Sequence, residues 1–345
     1  MRGGPRTSRA RVPHPRLSSR PAANRRLRRA RAPAFRPCEH PDAGGRGGVT
    51  RHLPPLRAST ALLLAAVALS ACTPETAGTR PVVVDEPSPV GPTRPAIIDE
   101  VEQILVLGDS VTLGVNACTR EERICGAASW ATGGSDVDSL AVRATAQNPG
   151  AVVSALARDG ARVSTALGNL DTILAEHAQL VVVFLGANDA CAPSLDEMTD
   201  IATFRDQYGR LLNALHADSD PAILAVLVPD LENVWEQGHG TPQALRAWGS
   251  TPACRSLLGD ADDTGATASG RRAAVSTRVD EYNAAIAELC GLLPKCRTDG
   301  GVVHDHPFDS GELSTVDYFH PSEAGQRVIA SLVWSALAEL PTANG

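Results

Sequence analysis

Three short motifs carry residue types that acyl-transfer chemistry requires. Ser110 supplies a hydroxyl nucleophile, and Asn188 supplies a side-chain amide that can donate to an oxyanion. In the third motif, Asp317-Tyr-Phe-His320, a carboxylate three residues before a histidine can accept from Nδ1–H, which leaves Nε2 to act as a base toward a serine. Because each motif alone is also typical of a turn, the chemistry depends on elements that bring the three together.

Short apolar runs rich in β-branched residues predict the strands that would position these motifs. The strong runs lie at 103–107, 180–185 and 223–228, and the weaker ones at 151–156 and 301–303. Continuous apolar runs are typical of parallel strands buried on both faces. Helical patterns lie at 163–177, 200–217, 271–290 and 322–340.

The alternation of strands and helices predicts a three-layer α/β/α sandwich with about five parallel strands. In such folds the chemistry sits at the carboxyl ends of the strands. Ser110 directly follows the first run, Asn188 follows the run at 180–185, and His320 directly precedes the last helix. These positions favour a functional role over an incidental turn.

The 345-residue chain divides its charge unevenly. Residues 1–57 contain 15 arginines and two acidic residues, whereas residues 73–345 contain 17 basic and 37 acidic residues. A globular part this acidic argues against nucleic-acid binding. The chain contains no uninterrupted apolar stretch of about 18 residues, which excludes a multi-span membrane protein.

The segment before the globular part is predicted to direct export. Residues 49–72 have the basic start and short apolar run of a signal peptide. Leu69-Ser-Ala-Cys72 resembles a bacterial lipobox, with Cys72 as the lipidated residue. An ordinary secretory signal with a chance cysteine is the alternative. Either interpretation predicts an extracytoplasmic protein, and the lipobox predicts a lipid anchor in the bacterial cell membrane.

The flanks of the signal peptide have simple compositions. Residues 1–48 are rich in arginine and proline, which makes them a doubtful leader, and we expect translation to start near Val49. Residues 73–98 are rich in proline and threonine, which is typical of a solvated tether. The remaining residues, 99–345, are long enough for one substantial domain.

The cysteines agree with export. Six remain once Cys38 and Cys72 are set aside, and an even number in an exported chain indicates three disulfides with 15 possible connectivities. Spacings of seven and six residues favour two local pairs, so the expected bonds are Cys118–Cys125, Cys290–Cys296 and Cys191–Cys254. No spacing is CxxC and no histidines cluster beside them, so we expect no metal site.

In chain order, the three motifs resemble the blocks of the SGNH (GDSL) hydrolase family. The matching blocks are Gly108-Asp109-Ser110, Gly186-Ala-Asn188-Asp189 and Asp317-Tyr-Phe-His320, and the resemblance covers about 103–340. Stretches around the later blocks are similar to secreted esterases and to the phospholipase B-like branch of the family. The resemblance implies a flavodoxin-like α/β/α fold and serine ester hydrolysis without a metal or other cofactor.

The resemblance also implies a role for each matching residue. Ser110 corresponds to the nucleophile, His320 to the base, and Asp317 to the residue that orients His320. The oxyanion hole corresponds to the amide of Ser110, the amide of Gly160 and the side chain of Asn188. The expected substrate is a small-molecule or lipid ester.

Two positions depart from the family pattern. Val111 stands where leucine is usual, which is a mild change. The usual asparagine before the glycine of the second block is missing at Gly160, so Gly133 and Gly134 remain alternatives for that role.

A second group of chemistry-bearing residues, His304-Asp305-His306 with Asp309, can be interpreted as a metal cluster or an alternative triad. We expect instead a loop that follows the last strand and lines the site. An insertion at 229–270 contains Trp235, Leu245 and Trp248, which would either receive an acyl chain or sugar or simply pack.

Two further details complete the expectations from sequence. Residues 259–270 are expected to form an acidic, flexible loop, and Tyr318 and Phe319 are expected to be core residues.

Two alternative functions stay open: an acyltransferase that uses the same triad, and a catalytically silent binding lipoprotein. The sequence leaves open whether the ester is a phospholipid, a triacylglycerol, a short-chain ester or an acetylated sugar.

Overall fold

Five parallel strands organise the residues that the computed structural model describes, 94–251 and 253–342. Their spatial order is β2-β1-β3-β4-β5. In chain order the strands are β1 (Gln103–Gly108), β2 (Val152–Ala157), β3 (Leu180–Val183), β4 (Ala222–Ala225) and β5 (Cys296–Thr298). Since all the strands run the same way, their carboxyl ends lie at one edge of the sheet.

Ten α-helices connect or follow the strands within the described residues. They are α1 (Leu140–Gln147), α2 (Val163–Gly168), α3 (Leu170–Leu174), α4 (Ala187–Ala190), α5 (Ile201–Asp218), α6 (Glu232–Gly238), α7 (Pro242–Gly249), α8 (Arg255–Leu258), α9 (Ala266–Gly291) and α10 (Glu323–Ala336). Short 3-10 turns lie at Ala96–Asp99, Gly126–Ala128, Leu195–Glu197 and Leu337–Glu339.

Burial on both faces of the sheet explains why the strands are apolar throughout. In β1, Leu105 and Leu107 belong to the core on one face, whereas Ile104 and Val106 belong to the core on the other. Helices α5 and α9 pack on the first face, and α1 and α10 on the second. The predicted three-layer α/β/α sandwich is therefore confirmed.

The predicted strand at 301–303 is wrong, because the fifth strand is β5, five residues earlier. Its sequence, Cys-Arg-Thr, has no apolar run. The strand is the last in the spatial order and pairs only with β4, so it is not buried on both faces. Gly301 has a φ of +88°, and the carboxylate of Asp299 accepts the backbone N–H groups of Gly301 and Val303 at 3.2 and 3.0 Å. Residues 301–303 therefore form a turn.

The helix boundaries differ from the predicted ones at two places. The predicted helix at 163–177 is two short helices, α2 and α3, because the chain breaks its helical geometry at Asn169, whose side chain donates to the carbonyl of Thr165 at 2.8 Å. Helix α9 begins at Ala266, so the expected loop at 259–270 is wrong over its last five residues. The sequence pattern also missed α1 and the helices of the insertion, α6 to α8.

The described residues contain three disulfides, and these join the predicted pairs. Cys118–Cys125 closes the loop after β1, Cys290–Cys296 joins the end of α9 to β5, and Cys191–Cys254 joins the loop after α4 to the start of α8. The last bond is the one that ties the insertion to the body of the domain near the carboxyl edge of the sheet. Cys38 and Cys72 lie outside the described residues.

Among residues 94–251 and 253–342, no helix is both long and apolar enough to cross a bilayer. The predicted leader, signal peptide and most of the tether lie outside the described residues, as does the proposed lipidation site at Cys72.

Gly114 is a position where the fold demands glycine. Its φ is +67°, and a Cβ at this position would lie 2.4 Å from the carbonyl oxygen of Cys125. We expect Gly114→Ala to lower the free energy of unfolding by about 2–4 kcal/mol, the sum of the left-handed backbone cost and steric overlap. Urea unfolding followed by circular dichroism measures this loss.

Gly300→Ala is the matched control for Gly114→Ala. Gly300 has a φ of +70°, but a Cβ there would meet nothing within 4 Å. The free energy of unfolding of Gly300→Ala should therefore fall only by the backbone cost, about 1 kcal/mol. Equal losses in the two variants would contradict the steric argument.

Candidate active site

Ser110 lies directly after β1, in a turn that brings it to the carboxyl edge of the sheet. A Cβ at Gly108 would lie 2.1 Å from Oγ1 of Thr112, so the chain can turn this tightly only with glycine at the strand end. The carboxylate of Asp109 accepts the N–H of Val111 at 2.9 Å and fixes the turn. Ser110 is only 5% exposed, yet it lines an open cleft.

The Asp317 and His320 side chains meet in the turn before α10. Nδ1 of His320 lies 2.6 Å from Oδ2 of Asp317, and Oδ1 accepts the N–H groups of Phe319 and His320 at 3.0 and 3.1 Å. Burial alone would raise the pKa of Asp317, but its hydrogen bonds and the charge of His320 hold that pKa below the ordinary value. An ionised Asp317 accepts from Nδ1–H, which leaves Nε2 of His320 as the basic atom.

Asn116 completes the surroundings of the Asp317 carboxylate. Its Nδ2 donates to Oδ2 of Asp317 at 2.7 Å across 201 residues of sequence. Asn116 adopts a φ of +55°, which asparagine tolerates better than most residues. Sequence reasoning missed this contact, since a single asparagine in a loop gives no signal of so distant a partner.

A cleft of about 640 Å³ brings the predicted site residues together. Its lining includes Ser110, Gly160, Asn188, Asp317 and His320. These five residues come from the ends of β1, β2 and β3 and from the turn before α10. The cleft therefore unites a hydroxyl, an imidazole–carboxylate pair and an amide, which are the groups that acyl transfer requires.

Three N–H sources at this edge can face an oxyanion. Neither the Ser110 amide nor the Gly160 amide has a hydrogen-bond partner among the described residues. Gly160 has a φ of +71°, with open space where a side chain would lie. Asn188 Nδ2 donates to Oδ2 of Asp109 at 3.0 Å and to the carbonyl of Ala161 at 3.1 Å, so its orientation is fixed.

Asp189 anchors the segment that carries Asn188. The Asp189 side chain is fully buried and accepts the N–H of Val163 at 3.1 Å and the hydroxyl of Thr199 at 2.8 Å. Burial raises the pKa of Asp189 even though these hydrogen bonds oppose the shift. The carboxylate thus joins α4 to the start of α2 and to the loop before α5.

Asp109 is the second buried carboxylate beside the site, and sequence reasoning gave it no role. Burial raises its pKa to about 6, although the N–H of Val111, the charge of His320 and the amide of Asn188 all lower it. One carboxylate therefore holds both the turn that carries Ser110 and the amide of Asn188.

The alternatives to Gly160, and the histidines at 304 and 306, lie away from the cleft at Ser110. Two cavities adjoin Ser110, the cleft described above and a smaller apolar one. Gly133 and Gly134 precede α1 and line neither cavity. His304 Nδ1 lies 2.8 Å from the carbonyl of Val228, and His306 Nε2 lies 3.0 Å from the carboxylate of Glu312. These two histidines line neither cavity at Ser110, but Val303 and Phe308 of the same loop line the smaller one, so the loop itself lines the site as expected.

Asp305 and Asp309 also lie outside the two cavities at Ser110. Asp309 Oδ1 accepts the N–H groups of Gly311 and Glu312, as in an ordinary turn. Among the described residues, Cys118, Glu122 and Cys125 do place ligand-type atoms within 4.8 Å of one another. Both sulfurs belong to a disulfide, so neither is available as a thiolate.

The aromatic residues of the insertion divide between packing and the cleft. Trp235 donates to the carbonyl of Ala261 at 2.8 Å, stacks on His239 and lies under the guanidinium of Arg272 at 3.8 Å, all away from Ser110. Trp248 is buried, lines the cleft and donates to the carbonyl of Tyr318 at 3.2 Å.

Tyr318 and Phe319, which are expected to be core residues, also form part of the site. Both pack against the apolar core, and both also line the cleft. Leu245 packs partly buried against the same core. The insertion therefore contributes one wall of the site through Trp248 rather than through Trp235.

The sequence profile of the GDSL-like Lipase/Acylhydrolase family matches residues 106–328, so the chain belongs to this family. Its members are lipases and acylhydrolases, which makes this protein a hydrolase that acts on esters. No curated protein matches the chain.

Several solved structures resemble this one. They include a lipase/acylhydrolase from Enterococcus faecalis, with 20% identity over 69% of this chain and 97% of that chain and a TM-score of 0.43. The acetyl xylan esterase AlAXEase has 16% identity over 68% and 98% of the two chains, with a TM-score of 0.43. The psychrotrophic esterase EstA from Pseudoalteromonas sp. has 13% identity over 68% and 96%, with a TM-score of 0.41.

The raised pKa of Asp109 predicts a pH-dependent effect on stability. The folded state holds this proton up to about pH 6, whereas the unfolded chain releases it near the ordinary value of 3.8. Ionisation of Asp109 therefore lowers the free energy of unfolding as the pH rises from about 4 to about 7, by up to about 3 kcal/mol. Asp109→Asn removes this contribution, so its stability relative to wild type should increase over that range.

Urea unfolding at pH 4, 5.5 and 7 measures this difference. Asp196→Asn, a substitution at an exposed aspartate, is the control. If the stabilities of wild type and Asp109→Asn keep a constant difference across the range, Asp109 does not titrate as described.

Proposed function

We propose that this protein is a serine carboxylic ester hydrolase with Ser110 as nucleophile, His320 as base and Asp317 as the residue that orients His320. The observation that carries this proposal is the 2.6 Å contact between Nδ1 of His320 and Asp317 beside the same cleft as Ser110. A carboxylate held by further hydrogen bonds both fixes the imidazole and stabilises its charged form.

In the proposed mechanism, His320 Nε2 removes the proton of Ser110 as Oγ attacks the ester carbonyl carbon. The C–O bond to the alcohol then breaks, and His320 returns the proton to the departing oxygen. Water, activated by the same imidazole, hydrolyses the acyl-enzyme and releases the carboxylic acid and free Ser110.

The oxyanion of the tetrahedral intermediate is proposed to bind the amides of Ser110 and Gly160 and the side chain of Asn188. The two amides are available because neither has another hydrogen-bond partner among the described residues. Asn188 can exchange its bond to the neutral carbonyl of Ala161 for one to the charged oxyanion, since charge-assisted hydrogen bonds are the stronger. Asp109 would keep the amide oriented during the exchange.

We further propose that the enzyme acts outside the cytoplasm, held to the bacterial membrane through lipidated Cys72. The three disulfides support an oxidising compartment. The lipobox at Leu69-Ser-Ala-Cys72 supports the anchor.

Ser110→Ala is expected to abolish hydrolysis of 4-nitrophenyl butyrate, with kcat falling at least about a thousand-fold because the variant lacks the attacking hydroxyl. Release of nitrophenol measures the rate, and thermal unfolding confirms that the variant remains folded. Ser135→Ala, at an exposed serine before α1, is the control and should keep wild-type activity. Full activity in Ser110→Ala would refute the assignment.

A second, apolar cavity of about 70 Å³ shares Ser110 and His320 with the cleft. Its apolar lining includes Val111, Phe184, Leu231, Val234, Val303, Phe308, Leu313 and Ile329. We propose that it receives the acyl chain, because apolar groups gain free energy when they leave water.

The small size of this cavity predicts a preference for acyl groups of about two to four carbons, since a cavity of about 150 Å³ is what holds a six-carbon benzene ring. On 4-nitrophenyl esters from two to twelve carbons, kcat/KM should fall beyond the short chains. Phe308→Ala, which enlarges the cavity, should move the optimum to longer chains, whereas Val152→Ala on the exposed side of β2 should not. An optimum at long chains in the wild type would exclude this acyl site.

A further inference from the structure

The large cleft at Ser110 has a cationic lining in an otherwise acidic domain. The described residues include 16 basic and 34 acidic residues. Three of the basic residues, Arg120, Arg123 and Arg246, line this one cleft, against two acidic residues, Asp159 and Asp317. We propose that this protein hydrolyses esters whose alcohol part carries an anionic group, a carboxylate or a phosphate, which the arginines bind. This inference rests on the proposed esterase function and specifies its substrate class.

Both acidic residues of the lining already have partners within the domain. Asp159 forms an ion pair with Arg123, and Asp317 holds His320. Arg120 and Arg246 have no hydrogen bond or ion pair with any described residue. The cleft therefore presents two uncompensated guanidinium groups, which suit the oxygens of a carboxylate or phosphate.

The position of the apolar cavity assigns the charged group to the alcohol rather than to the acyl chain. The two cavities share Ser110, Asn188 and His320, so an ester carbon at Ser110 can place one substituent in each. The apolar cavity suits a short acyl chain and is a poor site for a charge, because burying an unpaired charge is costly. The alcohol then lies in the 640 Å³ cleft, among the arginines.

The segments that carry the arginines are fastened in place. Arg120 and Arg123 lie inside the loop closed by the Cys118–Cys125 disulfide, and the Arg123 carbonyl accepts the N–H of Asn116 at 2.8 Å. Asn116 is also the residue that donates to Asp317. The cationic loop is thus held directly beside the imidazole–carboxylate pair.

Arg246 is held from the opposite wall. It lies on α7, two residues before Trp248, whose indole donates to the carbonyl of Tyr318 beside His320. Cys254 follows shortly after α7 and forms a disulfide with Cys191, and both cysteines line the cleft. Fixed positions for the arginines lower the entropic cost of binding an anion.

A pair of chromogenic esters tests the proposal on the full protein. 4-Nitrophenyl butyrate and 5-butyryloxy-2-nitrobenzoate differ only by one carboxylate on the leaving alcohol. Each kcat/KM is divided by the rate of hydroxide-catalysed hydrolysis of the same ester, which corrects for intrinsic reactivity. The ratio for the anionic over the neutral ester should exceed one in the wild type, and it should fall as salt concentration rises, because the attraction is partly screened.

The double variant Arg120→Gln/Arg246→Gln should lower this ratio at least about tenfold. Arg210→Gln is the matched control, since Arg210 is an exposed arginine on α5 that does not line the cleft. Inhibition by benzoate and by phenyl phosphate, each compared with neutral benzamide, distinguishes a carboxylate from a phosphate as the preferred anion. At least one anion should inhibit more strongly than benzamide.

The outcomes separate this inference from the proposed function. Suppose that both esters are hydrolysed in a Ser110-dependent reaction, but the ratio of anionic to neutral ester is one or is unchanged in the double variant. The proposed anionic substrate class is then wrong, whereas the proposed esterase function is supported. If the wild type hydrolyses neither ester, the proposed esterase function is wrong. Calorimetric measurement of benzoate and benzamide binding then tests the anion site in the cleft independently of activity. Equal binding of the two would overturn the anion site, and tighter binding of benzoate that the double variant loses would support it.

Discussion

Buried carboxylates at the carboxyl edge of the sheet are the constraint on which the site depends. Asp109, Asp189 and Asp299 follow β1, β3 and β5, and each accepts an N–H group from a neighbouring loop. The donors are the side chain of Asn188 and the backbone amides of Val163 and Leu227, respectively. Burial raises the pKa of all three, so each is held in place against a desolvation cost. Hydrogen bonds to the carboxylates offset that cost, and they form only in one conformation of the loops. They therefore favour the loop conformations that position Ser110 and Asn188.

The rigidity of this edge matters because acyl transfer requires groups from distant parts of the chain at fixed separations. The Ser110 turn and the Asn188 amide share one carboxylate, Asp109. The Asp317 carboxylate, in turn, is held by two backbone amides, by His320 and by Asn116. Few of these groups can move without breaking a buried hydrogen bond, so the site is organised before a substrate arrives.

The two cavities that meet at Ser110 differ in size, polarity and charge. The small one is lined mainly by aliphatic and aromatic side chains, whereas the lining of the large one includes arginines from a disulfide-closed loop and from α7. Under the proposed function, this asymmetry would give an ester a direction within the site. It also follows from the fold, because the apolar cavity continues the core while the cationic cleft is built by the insertion and the loop after β1.

The sequence by itself determined four of the five strands, the layered fold, the disulfide pairs and the residues that meet in the cleft. Most of these features depend on local patterns: apolar runs, short cysteine spacings, and turns at strand ends. The Cys191–Cys254 pair was predicted because two cysteines remained, and Gly160 was assigned through the resemblance to the SGNH (GDSL) family. Only the tertiary structure decided the position of β5, the contact of Asn116 with Asp317, and the gathering of Arg120, Arg123 and Arg246 around one cleft. Asn116 and Asp317 are 201 residues apart, and a polar or charged residue in a loop has no periodicity that could indicate its partner. Such contacts exist only once the sheet has brought its loops to the same edge.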